Sequence, residues 1–183
     1  MRTLSEIYKD YSRPERSGGG DKGSSHSYIQ EYYGHVLEDY RPTLNTVCEV
    51  GIFKGDSLLM WREYFPNARI VGVDISVPSD LHKKLTENNI EVIIGSQTDP
   101  NVFKPITNID VFIDDGSHKV DHQIKTFGFM FDKLNSGGIY IIEDVKLTSA
   151  VGERFKEMNS NAKIFDFSKL KNRMDDVIVE VRK

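Results

Sequence analysis

Thr46-Val47-Cys48-Glu49-Val50-Gly51-Ile52-Phe53-Lys54-Gly55-Asp56-Ser57-Leu58-Leu59-Met60-Trp61-Arg62-Glu63-Tyr64-Phe65 decides the fold. The β-branched run 46–50 reads as a buried strand, the two glycines as a sharp turn, and 56–65 as a helix. The same unit recurs downstream. Strands are predicted at 69–74, 90–94, 109–113 and 139–142, with helices at 79–88, 119–134 and 150–158 between or after them. Near-continuous apolar strands separated by helices imply a parallel sheet covered on both faces. Residues 162–167 and 177–181 are also strand-like, and the short connection between them permits a hairpin, so one is expected to run antiparallel. The expected fold is α/β and Rossmann-like: a seven-stranded, mostly parallel sheet with one antiparallel strand near the C-terminus.

Upstream, a helix is expected at 4–12 and another at about 25–40, where Tyr28, Tyr32, His35, Val36 and Tyr40 recur at helical spacing and His35 falls in the buried register. Between them, Ser17-Gly18-Gly19-Gly20-Asp21-Lys22-Gly23 reads either as a linker or as a lid that orders over a ligand. Residues 119–134 carry an apolar stripe of Val120, Ile124, Phe127, Phe131 and Leu134. The 183 residues are expected to form one domain, with 1–42 as N-terminal helices and loop and 43–183 as the core.

Composition narrows the function. With 24 Lys+Arg against 28 Asp+Glu, the net charge of −4 argues against a nucleic-acid partner held mainly by phosphate contacts. One cysteine, Cys48, excludes an intramolecular disulfide framework and a Cys-cluster zinc site. No apolar run approaches the roughly 20 residues of a membrane span. The charged start Met1–Arg13 lacks a signal-peptide core, so a cytoplasmic location is expected.

In an open α/β sheet, ligands bind beyond the carboxyl ends of the strands. Here those ends carry Glu49, Gly51 and Gly55 (first strand), Asp74 (second) and Gln97 (third). The Gly-x-x-x-Gly spacing is neither the dinucleotide fingerprint nor a phosphate-cradling loop. Glu49 would repel pyrophosphate and suit an amino-bearing ligand, while Asp74 can accept two ribose hydroxyls. Together these residues fit S-adenosylmethionine (SAM) better than NAD or ATP, and Asp114 is grouped with them as a cofactor contact. The fourth strand exits through Asp114-Asp115-Gly116-Ser117-His118 and the fifth through Glu143-Asp144. Three carboxylates, Asp115, Glu143 and Asp144, converging on one rim call for a cation, because like charges held close are costly. All-oxygen ligation points to Mg²⁺ first, with Mn²⁺ or Ca²⁺ as alternatives. His118 beside them is placed as a general base, since imidazole titrates near neutrality, with a pKa of about 6.5. His122 is read as a surface residue. For Tyr28, Tyr32 and Tyr33, packing competes with lining an acceptor pocket.

The motifs Gly20-Asp21-Lys22-Gly23-Ser24-Ser25-His26-Ser27-Tyr28, Glu49-Val50-Gly51, Val71-Gly72-Val73-Asp74-Ile75, Gly95-Ser96-Gln97-Thr98-Asp99, Asp114-Asp115-Gly116-Ser117-His118 and Ile141-Ile142-Glu143-Asp144 make the chain similar to a known family. It resembles the metal-dependent class I SAM-dependent O-methyltransferases of the macrocin and mycinamicin group. The resemblance implies Mg²⁺ ligation by Asp115, Glu143 and Asp144, a general base at His118, and SAM contacts from Glu49, Gly51 and Asp74 with Gln97 near the adenine. Residues 145–150, Val-Lys-Leu-Thr-Ser-Ala, depart from the aromatic run the family tends to show, so the chemistry carries over better than the acceptor. The reading is an Mg²⁺-dependent O-methyltransferase acting on a hydroxyl of a sugar or other vicinal diol, with homo-oligomerisation left open. A metal-dependent hydrolase on the same rim and a non-catalytic SAM-binding module are the alternatives. The hydrolase is disfavoured by the lack of a Gly-x-Ser-x-Gly elbow.

Overall fold

A computed structural model describes residues 1–12 and 20–183; part of the glycine-rich stretch, residues 17–19, lies outside the described residues. The strands are β1 (Thr46–Val50), β2 (Arg69–Asp74), β3 (Ile90–Ile94), β4 (Ile109–Asp114), β5 (Leu134–Ile142), β6 (Lys163–Asp166) and β7 (Val177–Arg182). They form one sheet in the order β3-β2-β1-β4-β5-β7-β6. Pairing is parallel from β3 through β5, and β7 runs antiparallel to both β5 and β6. The expected sheet, with its single antiparallel strand, is therefore present.

The register positions the site. Val50 pairs with Val73 on one side and with Asp114 on the other, and Asp114 pairs with Ile142. The residues that follow these partners, Gly51, Asp74, Asp115 and Glu143, therefore emerge side by side on one rim. Strand order reverses between β2-β1 and β4-β5, and such a switch point leaves a crevice at that rim.

Alternation along the strands feeds two cores. Val47, Val111, Ile113, Ile139 and Ile141 face one side, where α1 (Leu4–Tyr11), the segment 28–37 and α3 (Asp56–Tyr64) pack. Cys48, Val50, Phe112, Tyr140 and Ile142 face the other, against α5 (Val120–Met130) and α6 (Ser149–Met158). The remaining helix, α4 (Ser79–Glu87), adds Leu85 to the first core. α1 opens on a capping box: Glu6 N–H donates to Thr3 Oγ1 and Thr3 N–H to Glu6 Oε2.

Two helical expectations change. Over 25–40 there is a π-helix (Ile29–Tyr33) followed by one α turn, α2 (Gly34–Val36), with turns on either side. Tyr28, Ile29, Tyr32 and Tyr33 are all buried, and the wider π turn brings these four bulky residues to the sheet together. His35 is correspondingly exposed, against the expectation of a core histidine. The expected helix 119–134 stops at Met130, gives one 3-10 turn, and β5 begins at Leu134. Its buried face is Gln123, Thr126, Phe127 and Met130, whereas Val120, Ile124 and Phe131 are half-buried. The helix is turned so that two polar side chains meet the strand ends: Gln123 Nε2 donates to Glu143 O, and Thr126 Oγ1 bonds Gln97 O.

Candidate active site at the carboxyl rim of the sheet

Gly51 leaves β1 with φ +96°, and a Cβ there would lie 2.0 Å from the Asp115 carbonyl oxygen. Only glycine lets the first and fourth strand exits approach this closely. Asp74 then pins the turn, its Oδ2 accepting the N–H groups of Ile52 (2.8 Å) and Phe53 (3.2 Å). Gly55 has φ +75° and starts α3. Gly51, Gly55, Asp74, Asp115, His118 and Asp144 line one cleft of about 460 Å³.

Behind the cleft lies a buried acidic cage. Glu49 is fully buried; its Oε2 accepts the Trp61 indole N–H at 2.6 Å, and burial raises its pKa against the pull of Lys22. Glu143 Oε1 accepts from Lys22 at 2.7 Å and from the Tyr33 hydroxyl, and burial holds this carboxyl well above its ordinary range. Lys22 Nζ also donates to Asp115 Oδ2 at 2.7 Å and lies 3.2 Å from Glu49 Oε1. Burial opposes its charge, yet Asp115, Glu143 and Glu49 together raise its pKa well above that of a free lysine.

Asp115 is shared between this cage and the open cleft. Its Oδ1 lies 4.0 Å from His118 Nδ1, which is 3.9 Å from Asp144 Oδ2. Ligand-capable atoms of Asp115, His118 and Asp144 all fall within 4.8 Å of one another. Asp144 Oδ1 accepts the Tyr28 hydroxyl at 2.9 Å, and burial followed by the nearby Asp115 charge pushes its pKa up to about 7. His118 and Asp144 both have left-handed backbone, φ 54° and 56°, unusual for residues with side chains. That backbone turns both side chains to the same opening. Two carboxylates and an imidazole grouped at a partly open cleft, where a cation would offset the repulsion between the acids, could hold a divalent ion.

The expected residues thus reach one rim but divide in role. Asp115 and Asp144 flank His118, while Glu143 turns inward to Lys22 and Tyr33. Gln97 is buried with both ends engaged: Nε2 donates to Asp114 Oδ1 at 3.0 Å, and Oε1 accepts the Ser117 N–H at 2.7 Å. Asp114 is fully buried in that knot, with burial raising its pKa to about 7. A second recess beside Gly51 and Asp74 is lined by Ile75, Ser96, Ser117 and His122. His122, expected at the surface, is half-buried there and its Nδ1 pairs with Ser117 Oγ at 2.8 Å.

Lys22 stands in the sequence only as part of a loop motif, with no role of its own, and His26 reads there as a residue that could face the ligand loop. His26 is 1% exposed and stacks on Tyr28, with Nε2 3.4 Å from Asp144 and Nδ1 3.5 Å from Asp176. Tyr28 and Tyr33 are packed residues whose hydroxyls also hold Asp144 and Glu143. The signal for Lys22 and His26 is their place in a polar Gly/Ser loop leading into a tyrosine-rich segment.

Comparison with known proteins shows which sequences and folds the chain is similar to. No family model matches the chain. It is 33% identical over 139 residues to the 8-demethyl-8-alpha-L-rhamnosyl tetracenomycin-C 2'-O-methyltransferase of Streptomyces olivaceus, covering 70% of this chain and 35% of the relative. It is 34% identical over 153 residues to the demethylmacrocin O-methyltransferase of Streptomyces fradiae, covering 78% and 36% respectively. The chain thus spans about a third of the length of the curated relatives it matches. MycE methyltransferase from the mycinamycin biosynthetic pathway, solved in complex with Mg and SAH, superposes with a TM-score of 0.63 at 32% identity, over 78% of this chain and 36% of that one. A second crystal form of the same protein extends the likeness of fold to 99% of this chain and 55% of that one, with a TM-score of 0.71 at 24% identity. The chain has the class I methyltransferase fold and is a sequence relative of the macrocin and mycinamicin group of O-methyltransferases.

Proposed function

We propose that this chain is a SAM- and divalent-metal-dependent O-methyltransferase domain whose acceptor is a hydroxyl of a sugar or another vicinal diol. The observation that carries the reading is the Asp115–His118–Asp144 group opening on the cleft that the Gly51 turn and Asp74 also line. The relative solved with Mg and SAH supports the two cofactors.

Asp115 and Asp144 would hold the ion, Mg²⁺ in the first instance, while Glu143, expected as a third ligand, is turned inward to Lys22 and Tyr33. When bound, that ion supplies positive charge that favours the alkoxide form of an acceptor hydroxyl. The reaction breaks the sulfonium S–CH₃ bond, forms an O–CH₃ bond and releases one proton from the acceptor. His118, 42% exposed at the mouth of the cleft, takes that proton as general base. Gly51 lets the donor approach the backbone closely. Asp74, beside both the cleft and the second recess, offers its carboxylate to the ribose, and Ser96, Ser117 and His122 frame the space for the base. Gln97 also lines that recess, and Asp114 behind it holds the Gln97 amide in place. On the acceptor side, Asp21, Arg173 and Asp175 give the cleft charged hydrogen-bonding groups suited to a hydroxyl-rich molecule.

Calorimetric titration with S-adenosylhomocysteine, with and without Mg²⁺, tests the reading, followed by transfer of labelled methyl to a panel of sugars and catechols. Binding of the nucleoside and Mg²⁺-dependent labelling of a diol are expected. A protein that ignores the nucleoside is not a methyltransferase.

A further inference from the structure

The chemistry just described makes no use of Lys22, whose side chain is only 3% exposed. Its ammonium donates to Asp115 and Glu143 at 2.7 Å and lies 3.2 Å from the Glu49 carboxylate, an ion pair without a hydrogen bond. The turn that inserts it is firmly built. The N–H groups of Ser24, Ser25 and His26 all converge on Asp21 O at 2.9 to 3.1 Å, and Ile29 N–H bonds Lys22 O at 3.1 Å. Burying an ammonium costs several kcal/mol unless it is well paired, so a loop shaped to deliver one here implies that the cage needs it. Asp115 shows how the space is divided. Its Oδ2 faces Lys22, while its Oδ1 faces His118 and, beyond it, Asp144. The ammonium and the open group therefore share a carboxylate without occupying the same place.

We propose that Lys22 is a resident counter-ion: it keeps the acidic cage folded when no divalent ion is bound, and its charge loosens the grip on that ion so that the ion stays exchangeable. This rests on the reading of the Asp115–Asp144 rim as a divalent-cation site. A positive charge a few ångströms from a bound cation opposes it even at an effective dielectric of about 20. The same charge offsets the mutual repulsion of Glu49, Asp115 and Glu143 in the metal-free protein.

The test is Lys22→Met in the whole chain, a change that keeps length and apolar bulk but removes the charge. Mn²⁺ binding is followed by electron paramagnetic resonance, and melting is followed with and without Mn²⁺. The metal-free variant is expected to melt about 10 °C below wild type. It should bind Mn²⁺ about tenfold or more tightly, and to gain more stability from the ion than wild type does. A purely structural lysine would not tighten the ion. Equal or weaker Mn²⁺ binding by the variant, with wild type binding normally, overturns the role of Lys22 and leaves the cation site standing. A wild type that binds no Mn²⁺ overturns both. If Lys22→Met does not fold without metal, Lys22→Met/Glu49→Gln removes one charge of each sign. That double variant is expected to fold without metal and to bind Mn²⁺ within about threefold of wild type, because the cage charge is restored. A double variant as unstable as the single one would contradict the proposal.

Discussion

At the residue scale, His118 carries the sharpest expectation. Its side chain faces Asp115 and Asp144 at 4.0 and 3.9 Å from a mouth open to solvent, where an acceptor hydroxyl can reach it. His118→Ala is expected to lower kcat by about 10²–10⁴-fold while S-adenosylhomocysteine and Mg²⁺ still bind. Turnover and calorimetry on the same preparation check this, and unchanged kcat would remove His118 from the reaction. That His118, Asp115 and Asp144 share one rim is legible in the sequence, because they lie in short motifs at strand ends. Lys22 was not, because its partners Asp115 and Glu143 are 93 and 121 residues away. A buried charge is defined by its partners, and a loop lysine between Asp21 and Gly23 gives no local sign of them. Gln97 lies on the expected rim, but its burial, with both ends of the amide engaged, depends on Asp114 and Ser117, 17 and 20 residues away.

Among the elements, two loops hold each other across the site. Lys171 Nζ, on the β6–β7 connection, donates to the carbonyls of Gly23, Ser24 and His26. Asp176, fully buried at the start of β7, accepts the Ser27 N–H at 3.0 Å and its hydroxyl at 2.8 Å. The segment that presents Lys22, His26 and Tyr28 is thus anchored by the C-terminal hairpin. Asp176→Ala leaves buried donors without an acceptor and is expected to cost about 2–4 kcal/mol of stability. Hydrogen exchange should quicken over residues 21–28 more than in the strands. Protection unchanged over that segment would show that the anchor lies elsewhere. This pairing also explains what periodicity missed. The strands were readable because β-branched apolar runs have one stable use in a covered sheet. The segment 25–40 was not, because Tyr28, Tyr32, His35, Val36 and Tyr40 fit an α-helical stripe, whereas a π turn buries Tyr28, Ile29, Tyr32 and Tyr33 and leaves His35 exposed. In α5 the apolar stripe competes with Gln123 and Thr126, whose hydrogen bonds to the strand ends settle the helix's rotation.

For the whole molecule, the acidic rim links stability, pH and metal. Burial lifts Asp114 and Asp144 from 3.8 to about 7. Between those values the folded chain holds protons that the unfolded chain has released, so stability must fall as pH rises across that window. The metal-free protein is expected to melt several degrees lower at about pH 8 than at about pH 5. Asp144 must lose its proton to ligate a cation, so Mn²⁺ affinity should rise with pH up to about 7 and flatten above it. Added Mn²⁺ should then cancel part of the alkaline loss. Melting curves across pH, with and without the ion, check both signs, and a metal-free protein that gains stability toward alkaline pH would contradict the account.

The most direct measurement is the anomalous scattering of Mn²⁺ in crystals grown with S-adenosylhomocysteine. One strong peak is expected, bonded to carboxylate oxygens of Asp115 and Asp144 beside His118, with the nucleoside lying over Gly51 and its ribose at Asp74. A peak elsewhere on the chain, or a nucleoside bound away from that rim, would contradict this expectation.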